Sequence, residues 1–339
     1  MFAVSAAAIW AAGTKLAGAT DALDTRLGIG SAFGGLILLA IVTNLPEIAI
    51  TASAAVQDHL GLAVGNLLGG IAIQTVVLAV LDVFSRRDRP LTFLAASLIL
   101  VLEAVGVMAI VALAFMGSQL KPSVNLAGVS PVSVAIALMW IGGLFVIRRA
   151  NRSLPWKTEA PESEPGRTHA HKRAGKGPQP MARQSTAAVA RLFALCALVT
   201  LVAGVFIELA GDHLAGKIGL QGAVFGATFL AAATALPEVS TGLASVRMGD
   251  NSLAFSDIFG GNAFLPVLFL MADLLAGTPA LPSAAHTDQW MAGLGIVLTG
   301  IYVVGLVMRP RRAILGMGAD SLAVVAIYAL GVAGLLLVR

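Results

Sequence analysis

Two short stretches of the chain set a threonine, a proline and a glutamate in the same order inside long apolar segments: "TNLPE" at 43–47 and "TALPE" at 234–238. Proline has no N–H, and its ring pushes the preceding helical turn open. Pro46 and Pro237 therefore free the carbonyls of Val42 and Ala233. A free carbonyl in hydrocarbon is costly and needs a partner. A cation is one such partner. Thr43 and Thr234 each stand four residues before Glu47 and Glu238, so hydroxyl and carboxylate share a helix face. Each copy offers a carboxylate, a hydroxyl and exposed carbonyls. Together they make an all-oxygen set carrying two negative charges, which suits Ca²⁺ with its demand for about 6–8 oxygens.

The competing reading makes Glu47 and Glu238 buried acids that are paired elsewhere. Lys15 alone stands at a matching depth among basic residues, and one lysine cannot neutralise two equivalent acids. An acid within a membrane segment is expensive and marks a functional site by default.

The elements that position these residues follow from composition. The chain has 339 residues, 58% hydrophobic and 12% charged, with mean hydropathy +0.88. A soluble domain carries about 25% charged residues, so most of this chain belongs in a bilayer. At a span length of about 20 residues, ten helices are expected: 1–20, 30–56, 60–84, 91–116, 129–148, 187–211, 219–246, 251–276, 289–308 and 319–338. The first contains Lys15 and runs on without a cleavage-site pattern, so it reads as a helix and not a signal peptide.

The segment 149–186 is polar and rich in Pro, Gly and charge, the composition of a disordered linker. Its His169 and His171 make a poor metal site by themselves. One cysteine, Cys196, excludes an internal disulfide. The pI near 9.6 comes from basic clusters between apolar segments and no nucleic-acid motif accompanies it, so nucleic-acid binding is not expected. The linker, "RRDR" at 86–89, "RPRR" at 309–312 and Arg26 fall on one side of an alternating ten-helix path. The positive-inside bias puts that side in the cytoplasm and both termini outside, in a plasma (inner) membrane.

A shift of 191 residues aligns the two halves without a gap over about sixty positions. Asp21 meets Asp212, Gly28 meets Gly219, Gly35 meets Gly226, and Ala40 meets Ala231. Pro46–Glu47 meets Pro237–Glu238, Gly69–Gly70 meets Gly260–Gly261, and Asp82 meets Asp273. An odd number of helices separates the copies, so the expected fold is an all-α membrane protein of two five-helix repeats with inverted topology. Residues 1–148 form the first repeat and 187–339 the second. Inversion brings the glutamates face to face near mid-membrane.

Other polar residues within the spans carry less. Asn66 and Asp257 are repeat-equivalent, and Asp257 is a candidate proton or cation ligand. Glu103 has no acidic counterpart, its equivalent position being Leu294, and reads as a hydrogen-bonded buried acid in preference to a proton relay. Asp82 and Asp273 lie near helix ends and read as interfacial.

These residues resemble the two alpha-repeats of the calcium/cation antiporter superfamily, in particular its sodium/calcium exchanger branch, whose pattern is Gly-Thr-Ser-Leu-Pro-Glu followed by Gly-Asn-x-x-Gly-Ser-Asn and then Asn or Asp. The resemblance covers both halves and omits the linker. It implies ten helices, extracellular termini and alternating access. By that resemblance Glu47 and Glu238 match the ion-binding glutamates, Thr43 and Thr234 the threonines beside them, and Ala40 and Ala231 residues whose carbonyls help bind sodium. The departures are Asn44 and Ala235 for the motif serine, Gly70 and Gly261 for the later serine, Gln74 and Leu265 for the final Asn/Asp, and Ser256–Asp257 for Gly-Asn, with Asn44 kept among the candidate cation-site residues.

The expected function is antiport of Ca²⁺ or another divalent cation against Na⁺ or H⁺, which compete for Glu47 and Glu238. The ions are substrates, and no cofactor is implied. The expected partners are inorganic cations and the lipid bilayer. Na⁺ is the default that the resemblance implies, and H⁺ is the alternative because paired carboxylates in a low-dielectric site also compete for protons. A channel would need a continuous polar path, and a non-transporting homologue with a sensor role would account for the lost serines. No nucleophile-base pair, HExxH or phosphate loop points to an enzyme.

Overall fold

The computed structural model describes residues 2–27, 37, 39–85, 89–152, 181, 184–218, 234–335 and 337–338. The described secondary structure is helical, apart from isolated bridges Leu126–Val129 and Ile314–Met317. The helices of the first half are α1 Phe2–Leu27, α2 Ala40–Thr43, α3 Leu45–Val56, α4 Leu60–Phe84, α5 Leu91–Ala95, α6 Leu98–Ser118 and α7 Pro131–Arg152. Those of the second half are α8 Thr186–Ile218, α9 Leu236–Met248, α10 Asn251–Phe264, α11 Leu268–Ala276, α12 His286–Met308 and α13 Ala319–Leu335. Most of the linker, with His169 and His171, lies outside the described residues, as do Ala231, Ala233 and parts of the expected spans 30–56 and 219–246.

Among the described residues six helices are long and apolar enough to cross a membrane: Leu60–Phe84, Leu98–Ser118, Pro131–Ala150, Thr186–Phe206, Asn251–Ala276 and His286–Met308. Burial sorts them. The apolar window of α4 is 72% buried and that of α7 only 22%, so α4 is a central post and α7 is a wall open to lipid.

Two expected spans are interrupted outside the Thr-x-Leu-Pro-Glu stretches. The span 91–116 breaks at Ala96–Ser97, where Ser97 turns extended and its hydroxyl oxygen caps α6 by accepting from Ile99 N at 3.2 Å. The span 251–276 tightens to a 3₁₀ turn at Leu265–Val267, where Pro266 cannot continue the α-helical ladder. Gly249 (φ 87°) ends α9 in the left-handed conformation, and Asp250 then caps α10 by accepting from Leu253 N at 2.9 Å.

One large apolar core joins α3, α4, α6, α7 and α9–α13 through residues such as Leu67, Leu78, Val111, Phe255, Phe259 and Tyr302. The long helices α1 and α8 form a separate antiparallel layer. Their contacts fall into three small clusters, with Ile9 against Ala203, Ala12 and Leu16 against Cys196, and Ala19 and Ala22 against Val189. At one end Arg26 donates to the Met181 carbonyl at 2.8 Å. This layer meets the rest at two glycines that are equivalent under the 191-residue shift. A Cβ on Gly204 would stand 2.5 Å from Pro46 Cβ, and one on Gly13 would overlap the Ser240 hydroxyl beside the Pro237 carbonyl. Each long helix thus crosses the proline break of the opposite half.

Two acids tie the ends of the core together. Asp82 Oδ1 accepts from Leu91 N at 2.7 Å, and its Oδ2 accepts from Gly318 N and the Ser321 hydroxyl, both at 2.7 Å. Asp273 Oδ1 accepts from Ala280 N at 2.7 Å and Oδ2 from Ser130 N at 2.8 Å. Gly318 and Ser130 follow matching tight turns, at Leu315–Gly316 and Ala127–Gly128, whose residues all have positive φ. Each half therefore clamps the last hairpin of the other. These acids are buried, and both oxygens of each are taken up by the fold.

Candidate functional site

Both proline motifs break their helices at the same register. α2 ends at Thr43 and α3 begins at Leu45, with Asn44 between them at φ −87°, ψ 15°. Ala235 occupies the equivalent junction at φ −79°, ψ 3° before α9. Pro46 and Pro237 therefore lie in the first turn of the new helix, where a missing N–H costs nothing. Glu47 and Glu238 share that turn, so the positive end of the helix dipole favours their charge. Each carboxylate also lies near its own backbone N–H.

The two halves meet across this junction. The Thr234 hydroxyl hydrogen-bonds Glu47, and Thr43 lies in hydrogen-bonding reach of Glu238. Glu238 is within electrostatic reach of both Glu47 and Asp257. Thr43, Asn44, Glu47, Thr234, Glu238 and Asp257 are all at most 2% exposed. Among the described residues, Oε2 of Glu47 and Oε2 of Glu238 accept no hydrogen bond. Buried polar atoms are normally matched; Glu47 and Glu238 leave equivalent carboxylate oxygens unmatched at the two helix breaks, and Glu103 leaves its Oε1 unmatched away from them.

Asp257 joins this group from α10. Its Oδ2 accepts from the Thr241 hydroxyl at 2.6 Å, and its Oδ1 lies 3.3 Å from Thr43 Oγ1. The equivalent Asn66 has its Nδ2 buried without a partner among the described residues, and the position equivalent to Thr241 is Ile50. Thr241 was legible only as a residue three positions after Glu238, on the same helix face.

The Glu238 side carries a further layer. Gln74 Nε2 donates to Glu238 Oε1 at 3.2 Å and to Asn44 Oδ1 at 2.9 Å. Asn44 Nδ2 in turn donates to the Ala40 carbonyl at 2.6 Å. The carbonyl that the resemblance assigns to sodium thus already holds an amide. In sequence Gln74 was visible only as a departure from the family pattern.

Glu103 lies away from this group. Its Oε2 accepts from the Ser256 hydroxyl at 2.9 Å, which joins α6 to α10. It borders a cavity of about 280 Å³ lined with Trp140, Phe259 and aliphatic residues. Among the described residues no three His, Cys, Asp or Glu side chains form a closed metal cage. Any cation held here must draw on hydroxyl and carbonyl oxygens as well as carboxylates.

Comparison with known proteins decides the family. The profile of the sodium/calcium exchanger protein family matches residues 1–149 and 188–337. The chain belongs to the sodium/calcium exchanger family. Among relatives, this exchanger-family chain is 26% identical over 322 residues to the inner membrane protein YrbG of Escherichia coli (strain K12), spanning 87% of this chain and 91% of that one. It is 26% identical over 332 residues to the putative antiporter CaxA of Alkalimonas amylolytica, spanning 90% and 89%. Solved structures of the sodium-calcium exchanger NCX_Mj share its fold. One soaked without Na⁺ and Ca²⁺ has TM-score 0.67 at 16% identity, covering 98% of this chain and 96% of that one. Another, soaked with 2.5 mM Na⁺ and 0.1 mM Ca²⁺, has TM-score 0.65 at 16% identity, covering 100% and 97%. The protein is a multi-pass membrane protein of a cation-antiporter family.

Proposed function

We propose that this antiporter exchanges Ca²⁺ or a similar divalent cation for Na⁺ or H⁺ by alternating access, at a site made by Glu47, Glu238, Thr43, Thr234 and Asp257. The observation that carries the reading is the pair of unpartnered oxygens, Glu47 Oε2 and Glu238 Oε2, at equivalent helix breaks. Carboxylate, hydroxyl and carbonyl donors are the ligand types that a hard divalent ion selects. A divalent ion would neutralise the two glutamates, and the counter-ion would compete for the same oxygens. That competition is the coupling.

The topology belongs to the same proposal: ten membrane helices as inverted repeats over 1–148 and 187–339, joined by a cytoplasmic linker at 149–186, with the termini outside. The crossed glycine–proline contacts and crossed aspartate clamps support the repeat. The basic stretches support the orientation, since Arg89 and Arg309 both stack on the Phe93 ring, at 4.7 and 5.4 Å from its centre. Alternating access would be carried by the α1–α8 layer, whose apolar contacts are separate from the main core.

The deciding experiment is ⁴⁵Ca²⁺ uptake by inside-out vesicles under an imposed Na⁺ gradient and then a pH gradient. Gradient-driven uptake that Glu47→Gln abolishes is the expected result. Uptake driven by neither gradient, with wild type and Glu47→Gln alike, sinks the reading. Uptake that saturates poorly and persists without a gradient points to a channel instead.

A further inference from the structure

On the Glu238 side of the break, Glu238 Oε1, Asn44 Oδ1 and the Ala40 carbonyl each accept an amide N–H, and Gln74 Oε1 is left without a hydrogen-bond partner among the described residues. Gln74 spends both hydrogens of its amide, one on Glu238 Oε1 and one on Asn44 Oδ1. Asn44 spends one of its own on the Ala40 carbonyl, at 2.6 Å. A carboxylate, an amide carbonyl and a backbone carbonyl would otherwise form a three-oxygen cradle of the kind that suits a monovalent cation. Here amide hydrogens occupy it.

The arrangement is held from behind. A Cβ on Gly261 would stand 2.7 Å from Asn44 Nδ2 and 3.4 Å from Gln74 Oε1, so a side chain there would push on the Asn44 amide. At the equivalent place in the other half a Cβ on Gly70 would meet Leu265 at 3.5 Å, and Leu265 supplies no amide. The junction residue there is Ala235. Among the described residues nothing on the Glu47 side repeats the plug. Turning the Asn44 amide over would set its Oδ1 against the Ala40 carbonyl and its NH₂ against that of Gln74. Both contacts repel.

We propose that Gln74 and Asn44 are specificity-determining residues: their amide hydrogens stand in for a monovalent cation beside Glu238, so the site takes a divalent ion without an accompanying Na⁺ on that side. The proposal rests on the cation-site reading above. Amides do not titrate near neutral pH, so the exclusion holds at any physiological pH. Because Gln74 engages only Oε1, it also leaves Glu238 Oε2 for the divalent ion.

The test is ⁴⁵Ca²⁺ binding to the purified full chain by equilibrium dialysis, with NaCl replacing choline chloride at constant ionic strength. Wild type binds Ca²⁺ and Na⁺ displaces it weakly, with a Hill slope near 1. In Asn44→Ser/Gln74→Asn the shorter groups withdraw the N–H donors and offer oxygens. Na⁺ then displaces Ca²⁺ at concentrations roughly tenfold lower, as expected for the loss of a charge-assisted hydrogen bond, and with a steeper slope. A merely structural role for the amides would lower Ca²⁺ affinity without changing the Na⁺ slope, and that result overturns the proposal. So does steep Na⁺ competition in the wild type. If the double variant fails to fold, Gln74→Asn alone should move Na⁺ potency in the same direction, and no movement there also overturns it. Failure of the functional reading looks different: wild type then binds no Ca²⁺, with or without Na⁺.

Discussion

Four buried carboxylates stand at two levels of this molecule and are treated in opposite ways. Near the helix ends Asp82 and Asp273 each have both oxygens bonded to backbone N–H groups at 2.7–2.8 Å. At the helix breaks Glu47 and Glu238 each keep one oxygen with no hydrogen-bond partner among the described residues. All four are at most 1% exposed, and both pairs are equivalent under the same 191-residue shift. Burial and repetition therefore do not separate a structural acid from a binding acid. Between these two pairs hydrogen-bond satisfaction is the difference, and it supports the proposed binding role of the glutamates, because a fully matched carboxylate has less left to offer a ligand.

The sharpest way to break this comparison is to neutralise one acid of each pair. Glu47→Gln or Glu238→Gln should lower ⁴⁵Ca²⁺ exchange in proteoliposomes by more than about 100-fold, above the usual cost of an outer-shell change at a metal site. The melting temperature should hold or rise, since a charge leaves a low-dielectric setting. Asp273→Asn should do the reverse. Its amide can accept only at its oxygen, so one of the Ser130 and Ala280 N–H groups loses its acceptor, costing about 1–3 kcal/mol of stability. Cys196 is buried and is the chain's one cysteine, so a thiol-reactive dye reports that melting directly. Exchange per folded molecule should survive.

A smaller effect separates binding from movement. Gly204→Leu places a side chain against Pro46 and should slow exchange by about tenfold through overpacking of a close contact. Ca²⁺ binding by equilibrium dialysis should stay within about twofold. The smallest effect belongs to Glu103→Gln. Ser256 can still donate to an amide oxygen there, so exchange should stay within about threefold. A large loss would place Glu103 with the binding acids.

Much of this was legible without coordinates. The paired Thr-x-Leu-Pro-Glu stretches stand out because proline and glutamate are costly in hydrocarbon, and their repetition made them a pair. Helix positions followed from apolar run length, most clearly at 60–84. Finer breaks did not follow. Ser97 and Pro266 interrupt two expected spans through a cap and a missing N–H, and hydropathy averaged over a whole span does not register either. Asp257 was a candidate ligand, and its contacts with Thr43 and Thr241 place it beside the glutamates.

Gln74 shows where sequence reasoning ends. Its type and position were in view, but its partners Asn44 and Glu238 lie 30 and 164 residues away. Glu103 and Ser256 are 153 apart, and Asp82 and Gly318 are 236 apart. Sequence by itself determined the membrane class, the family and the two glutamates, because each is written in local composition, spacing or repetition. Tertiary structure alone decided which acids are spent on the fold, which keep an oxygen free and which carbonyls an amide already holds. Those outcomes depend on hydrogen-bond geometry between distant segments, and that geometry arises only when the helices pack.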